Sequence, residues 1–179
     1  SEDSWMWHLF SEGIKFSLSQ DIFIDENSRT TLGFYYKIKP DYPNFINIPF
    51  TFKQKISKEA MLDMFVSGSF TLKDDEISVN VKLYDTESGK LISERSHTQS
   101  SFLDLVDDIV NQLRLDIGLP DKHIQESKFL SLGDIYTNSE ESFKYTLKGR
   151  FHLKSNFNLE EGKINLERAV KADTTNAFA

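Results

Sequence analysis

Between Ile77 and Tyr84 the chain changes character at every step. Ile77, Val79, Val81 and Leu83 alternate with Ser78, Asn80, Lys82 and Tyr84. A strand points successive side chains to opposite faces, so this run has one buried and one solvated side. A helix would scatter the same four aliphatic residues around its circumference. Such a strand needs paired neighbours along its backbone and an apolar cover on one face. The flanks supply the neighbours. Val66, Gly68, Phe70 and Leu72 alternate upstream, with a polar turn at Lys73 to Glu76. Downstream, Thr86-Glu87-Ser88-Gly89-Lys90 makes a second turn before a third strand from Leu91 to Thr98. Three antiparallel strands joined by tight turns form a meander.

The cover comes from amphipathic helices. Leu103, Val106, Ile109, Val110, Leu113 and Ile117 recur at helical spacing, behind a Ser101/Asp104 capping pattern. Asp104, Asp107 and Asp108 lie near that helix's start and Arg114 near its end, matching the helix dipole; Gly118 and Pro120 stop it. A helix over residues 4–19 places Trp7, Phe10, Ile14 and Leu18 on one face. Ile22 to Ile24 reads as a short strand entering the core. Pro40, Pro43 and Pro49 mark residues 25–50 as mostly loop, with an extended piece from Phe34 to Ile38. Ser57 fits the cap of a short helix from Lys58 to Met64.

After residues 120–138, read as a linker, two further helices follow. Asn138 or Ser139 caps the first, where Phe143, Leu147 and Phe151 recur every four residues. Asn158 and Glu161 form a capping box for the second, which carries Leu159, Leu166, Ala169 and Val170 on one face. The short join at Ser155-Asn156-Phe157 requires antiparallel packing. The expected fold is α+β: a mainly antiparallel meander with helices on one face (1–120), a linker (121–138) and a C-terminal αα-hairpin (139–179).

Composition narrows the function. Fifteen Phe and six Tyr among 179 residues provide a core, and a net charge of −7 disfavours nucleic acid. Without cysteine there is neither disulfide nor thiolate chemistry. The longest apolar runs fall far short of the ~20 residues a membrane-spanning helix needs. The abrupt opening at Ser1 and the close on Asn176-Ala177-Phe178-Ala179 read as a segment of a longer chain.

Two resemblances sharpen the expectation. Leu147-Lys148-Gly149-Arg150-Phe151, followed by Leu166-Glu167-Arg168-Ala169-Val170-Lys171-Ala172-Asp173, resembles a tetratricopeptide repeat. It departs from that pattern in a one-residue-longer Gly149 to Gly162 spacing, in Gly162 where alanine is usual, and in Thr174 where proline is usual. Val66-Ser67-Gly68-Ser69-Phe70, Val81-Lys82-Leu83-Tyr84-Asp85, Ser88-Gly89-Lys90 and the helix from Asp104 to Leu115 are similar to the α+β domain of TolB amino-terminal and FlgO-like proteins. These resemblances imply a sensory or protein-interaction module, extracytoplasmic, in a membrane-anchored bacterial signalling protein whose kinase, cyclase or DNA-binding domain lies elsewhere. A scaffold in an envelope assembly and a cytoplasmic location are the alternatives. The implied partner is a protein, a peptide or a small ligand, or a second copy held through the exposed hairpin.

Candidate chemistry within the chain is sparse. His8, His97, His123 and His152 show no ligand spacing. Asp104, Asp107 and Asp108 read as a solvated first turn, and Asp74-Asp75-Glu76 as a charged hairpin. Gly68 marks a close approach within a strand. Trp5, Met6, Trp7 and Phe10 read as core. No catalytic residue, metal or cofactor is expected. The partner-binding candidates are Tyr42 and Phe45 in the aromatic loop, and Phe143, Leu147 and Arg150 on the hairpin.

Overall fold

The alternating run becomes the middle strand of a three-stranded antiparallel sheet of order β1-β2-β3. The strands are β1 (Met64–Lys73), β2 (Glu76–Asp85) and β3 (Leu91–Gln99). The computed structural model describes residues 6–25, 47–74, 76–155, 157–176 and 178–179. Helices α1 (Met6–Leu18) and α2 (Phe50–Glu59) precede the sheet. After it come α3 (Phe102–Asp116), the short α4 (Asp121–Glu126) and α5 (Leu132–Ile135), then α6 (Glu140–Ser155) and α7 (Leu159–Ala172).

Register assigns the faces, because directly opposed residues in an antiparallel pair share one side. Ile77, Val79, Val81 and Leu83 are buried and oppose Leu72, Phe70, Gly68 and Val66 on β1. On β3 they oppose Gln99, His97, Arg95 and Ser93, so that strand brings no apolar residue to the covered face. Its side chains meet polar groups of α3 instead: Gln99 Nε2 donates to Asp108 at 2.7 Å, and Arg95 to Asp116 at 3.2 Å. Gly68 is a close approach, as expected. A Cβ there would lie 2.6 Å from the carbonyl oxygen of Asn80.

Helix α3 covers the β2 and β3 part of this face and α1 reaches it through Phe10, while Val66 and Leu72 on β1 stay exposed. Leu105, Val106, Ile109 and Val110 are fully enclosed. Each such aliphatic side chain contributes roughly 1.5–3 kcal/mol by leaving water. Phe10 lies over the sheet and α3 together, its ring 5.5 Å from Phe70 and 4.8 Å from Phe102. The buried stripe of α1 is Met6, Leu9, Phe10, Gly13 and Ser17, rotated from the predicted one; Ile14 and Leu18 are only half-buried. Trp5, Tyr42 and Phe45 lie outside the described residues, as does the segment Phe34 to Ile38. The side chain of Trp7 is likewise not described.

Three local expectations change. Helices do not all sit on one face. Phe65 and Tyr84 lie on the opposite side, stacked at 5.1 Å, and α2 covers them with Phe50, 4.9 Å from Tyr84. Lys53 of α2 donates to Ser67 Oγ at 2.6 Å and Gln54 to the Thr86 carbonyl at 3.0 Å. Two aromatic rings on a nominally wet face need that cover. Secondly, α2 runs from Phe50 to Glu59, and Ser57 lies inside it, donating back to the Lys53 carbonyl at 3.0 Å. Pro49 stands at the helix's entrance, where its missing N–H costs nothing. Thirdly, Ile22 to Ile24 is a turn and not a strand. Asp21 accepts from the Phe23 amide at 3.1 Å, leaving Ile22 and Phe23 exposed.

The helix caps match the sequence signals. Ser101 accepts from the Asp104 amide at 3.2 Å, Ser139 from Ser142 at 3.2 Å, and Asn158 from Glu161 at 3.1 Å.

The hairpin α6–α7 packs on the rest of the molecule. Phe143 and Leu147 belong to the same core as the sheet and α3. Leu132 and Tyr136, from the expected linker, join them there, so that segment is part of the core. Glu140 of α6 accepts from the Phe102 amide at 2.5 Å, satisfying an amide at the α3 terminus from a neighbouring helix. Within the hairpin the helices run antiparallel, Ser142 donating to the Ala169 carbonyl at 2.8 Å while Gly149 meets Gly162 further along. A Cβ on Gly149 would lie 2.8 Å from Leu166 Cγ and 3.0 Å from the Gly162 carbonyl oxygen. Gly149→Val is therefore expected to cost about 1–3 kcal/mol by overpacking. Urea denaturation followed by circular dichroism measures it; an unchanged midpoint would show that the two helices can separate freely.

Candidate partner-binding surface

Two of the three hairpin residues expected to bind a partner are not presented to solvent. Phe143 and Leu147 are almost wholly enclosed, and Phe143 packs 5.2 Å from Tyr136 and 5.9 Å from Phe102. Their four-residue spacing marks the inward face of α6, and the apolar content that suggests binding has been used for the core. Arg150 is half-buried and donates to the Tyr136 hydroxyl at 3.1 Å, so it braces the hairpin.

An open apolar surface lies along α7. Its inward face is Gly162, Asn165 and Ala169, small or polar residues at i, i+3 and i+7. Small side chains let α6 approach closely, and this inward placement rotates the larger ones outward. Leu159 is 74% exposed and Val170 42%. Together with Leu153 of α6, Leu166 and Ala179 they line a shallow open groove of about 760 Å³, edged by Lys163, Glu167 and Lys171. The four residues read as one face thus divide: Ala169 faces α6, Leu166 is half-buried, and Leu159 and Val170 face solvent. Phe157, in the turn before α7, is also exposed and takes a positive φ of 51°.

Below the groove the hairpin is held by polar groups invisible to hydrophobic patterning. Asn176 reaches back across it, donating to Ser142 Oγ and Thr146 Oγ1, each at 2.9 Å. All three are buried. Asp173 accepts from Thr137 Oγ1 and from the Thr175 amide, and these bonds hold its carboxyl below the usual carboxylate range. Phe178 packs against Tyr136 at 4.2 Å and Phe16 at 5.7 Å.

A second polar cluster lies at the other end of the molecule. Asp21, fully enclosed, accepts from Arg114 Nε at 3.0 Å and faces His123 Nε2 at 2.9 Å. A carboxylate only accepts, so His123 carries its hydrogen on Nε2. Arg114 also donates to Ser127 Oγ at 2.5 Å and lies 4.6 Å from the Phe129 ring centre. Every member is engaged by another, and the arrangement joins the turn after α1 to the end of α3 and to α4. No nucleophile lies against the His123 ring among the bonds described.

The remaining chemistry-bearing candidates are dispersed. His97 is half-buried beside Arg95, and His152 is half-buried in α6. Asp107 accepts from the Leu132 amide at 3.1 Å. Burial, with Asp104, Asp108 and Asp134 nearby, pushes its carboxyl above the ordinary range despite that bond. Among the described residues no three His, Cys, Asp or Glu side chains converge to hold a metal ion. No described helix is long and apolar enough to cross a membrane. No protein-family model matches this chain, and neither a curated protein nor a solved structure does so.

Proposed function

We propose that this chain is a non-catalytic protein-interaction module, with the outward face of the α6–α7 hairpin as its docking surface and the sheet with α1 and α3 as a rigid platform. The observation that carries the reading is the exposed pair Leu159 and Val170, in one groove with the half-buried Leu166 and with Leu153 of α6. Large apolar residues scattered singly over a surface are ordinary, but a contiguous groove with a charged rim is the form in which an apolar helix face is received. Phe143 and Leu147 anchor α6 in the core shared with the sheet, and α6 supplies one wall of the groove through Leu153. The resemblance of residues 65–119 to TolB-type and FlgO-like domains supports a wider reading: an extracytoplasmic module of a membrane-anchored signalling protein.

A pair of substitutions tests the docking surface. Leu159→Glu with Val170→Glu changes two solvent-facing positions, so the melting temperature is expected to move by only a degree or two. Affinity capture from an extract of the source cells is expected to retain a protein with the wild-type chain and to lose it with the variant. Equal retention by both would remove this face from the function.

A further inference from the structure

We propose that the occupant of the α7 groove is a second copy of this chain, paired antiparallel along α7 about a twofold axis near residue 165. The inference rests on the interaction-module reading and adds the partner's identity. Its basis is the order of charges along the groove's rim. Leu159, Leu166 and Val170 form the apolar stripe, and Lys163, Glu167 and Lys171 follow one another along one side of it. In an antiparallel helix pair related by a twofold axis, the same rim of each helix meets itself with its direction reversed. A residue then faces the one equally far beyond the axis. Lys163 falls opposite the second copy's Glu167, and Glu167 opposite the second copy's Lys163. The stripe matches in the same register. Leu159 falls against the second copy's Val170 and the aliphatic stem of its Lys171, and Leu166 lies beside the axis.

Both members of the charged set are available for this. Lys163 and Glu167 are 3.7 Å apart on the same helix, with side chains 76% and 56% exposed. Pairing would complete an alternating square of four charges and bury the leucines beneath it. A parallel arrangement gives no such match, since it sets the Lys163 rim against the opposite side of the second helix. A single-helix contact is at the small end of specific interfaces, so the dimer is expected to dissociate in the micromolar range.

The test is sedimentation velocity over a concentration series, on the wild-type chain, Lys163→Glu, Glu167→Lys and an equimolar mixture of the two variants. Wild type is expected to pass from monomer to dimer. Each single variant sets four like charges together and is expected to associate at least tenfold more weakly. The mixture restores opposite charges across the axis and is expected to dimerise again, as a heterodimer. These exposed substitutions leave the core intact, and circular dichroism of each variant checks that.

A wild-type monomer at every concentration overturns the proposal, as does a dimer indifferent to both charge changes or a mixture that fails to recover. If the chain is monomeric yet the Leu159/Val170 variant still loses a captured protein, the face binds a different partner and the module reading survives. If capture is equally unaffected, both fail.

Discussion

Asp21→Ala is expected to destabilise the protein by about 3–5 kcal/mol, the usual cost of removing one member of a buried ion pair. Arg114, whose side chain is 3% exposed, would keep its charge and lose its counter-ion. Ser127 would still accept from it, but a hydroxyl does not neutralise a guanidinium. The Phe23 amide and His123 would also lose their acceptor. A natural domain's stability is ~5–15 kcal/mol in total, so the loss is a large share of it. For a chain of this size it corresponds to a melting temperature lower by on the order of 10 °C. Replacing both partners, Asp21→Leu with Arg114→Met, is expected to cost less than Asp21→Ala alone, because no buried charge is stranded. Equilibrium urea unfolding of Asp21→Leu, Arg114→Met and the double variant measures the coupling. Additive losses would mean that the pair is not a unit.

The same site sets a direction for pH. Burial opposes the Asp21 charge, but the Phe23 amide, His123 and Arg114 outweigh it and hold the carboxyl below its ordinary value. The folded state thus binds this proton less readily than the unfolded chain. Its contribution is complete above the unfolded carboxylate value, about 3.9, and is lost as pH falls below that through the folded value. Asp107 works oppositely, since its raised pKa penalises the folded state at neutral pH and relaxes on acidification. The clean comparison is therefore wild type minus Asp21→Asn, whose stability difference should narrow through that acid window. A constant difference would place the Asp21 carboxyl at its unfolded value.

The contrast between these groups and the sheet explains how far the sequence is legible. A period-two run and a Ser-x-x-Asp cap are local signals, written within a few residues, and the strands and caps follow from them. Arg114 also gives a local signal, that of a cation at a helix C-terminus, and it does lie in the last turn, but the signal says nothing of its counter-ion. Its partner is Asp21, far away in sequence, and nothing near either residue announces the pairing. The α2 helix is placed too late, at Lys58 to Met64 instead of Phe50 to Glu59, because Pro49 reads as loop punctuation although proline suits a helix entrance. The docking face shows the same limit. Large apolar residues at helical spacing indicate a buried stripe, and on α6 they form one. On α7 the buried stripe is Gly162, Asn165 and Ala169, chosen for close approach, so Leu159 and Val170, which look like core, face out. Tyr42 and Phe45 lie outside the described residues, and the structure adds nothing to their reading.

Phe143→Ala is expected to cost about 3–5 kcal/mol, and to do so for the whole molecule. The residue belongs to the hairpin by sequence and to the sheet's core by contact. Its ring meets Phe102 at the start of α3 and Tyr136 before α6, and the same cluster continues through Val106 and Ile109 to Val79 and Val81. A void at that junction removes contacts from both sides at once. Hydrogen exchange of the variant should therefore show amides of β2 and of α7 losing protection together. Urea unfolding should keep a single transition at a lower midpoint. If α7 exchanged freely while β2 stayed protected, the hairpin would be an appendage with its own stability. A groove on such an appendage would be shaped by whatever binds it. A shared loss would mean that the groove is held by the full core, and that a partner docking there meets a surface already formed.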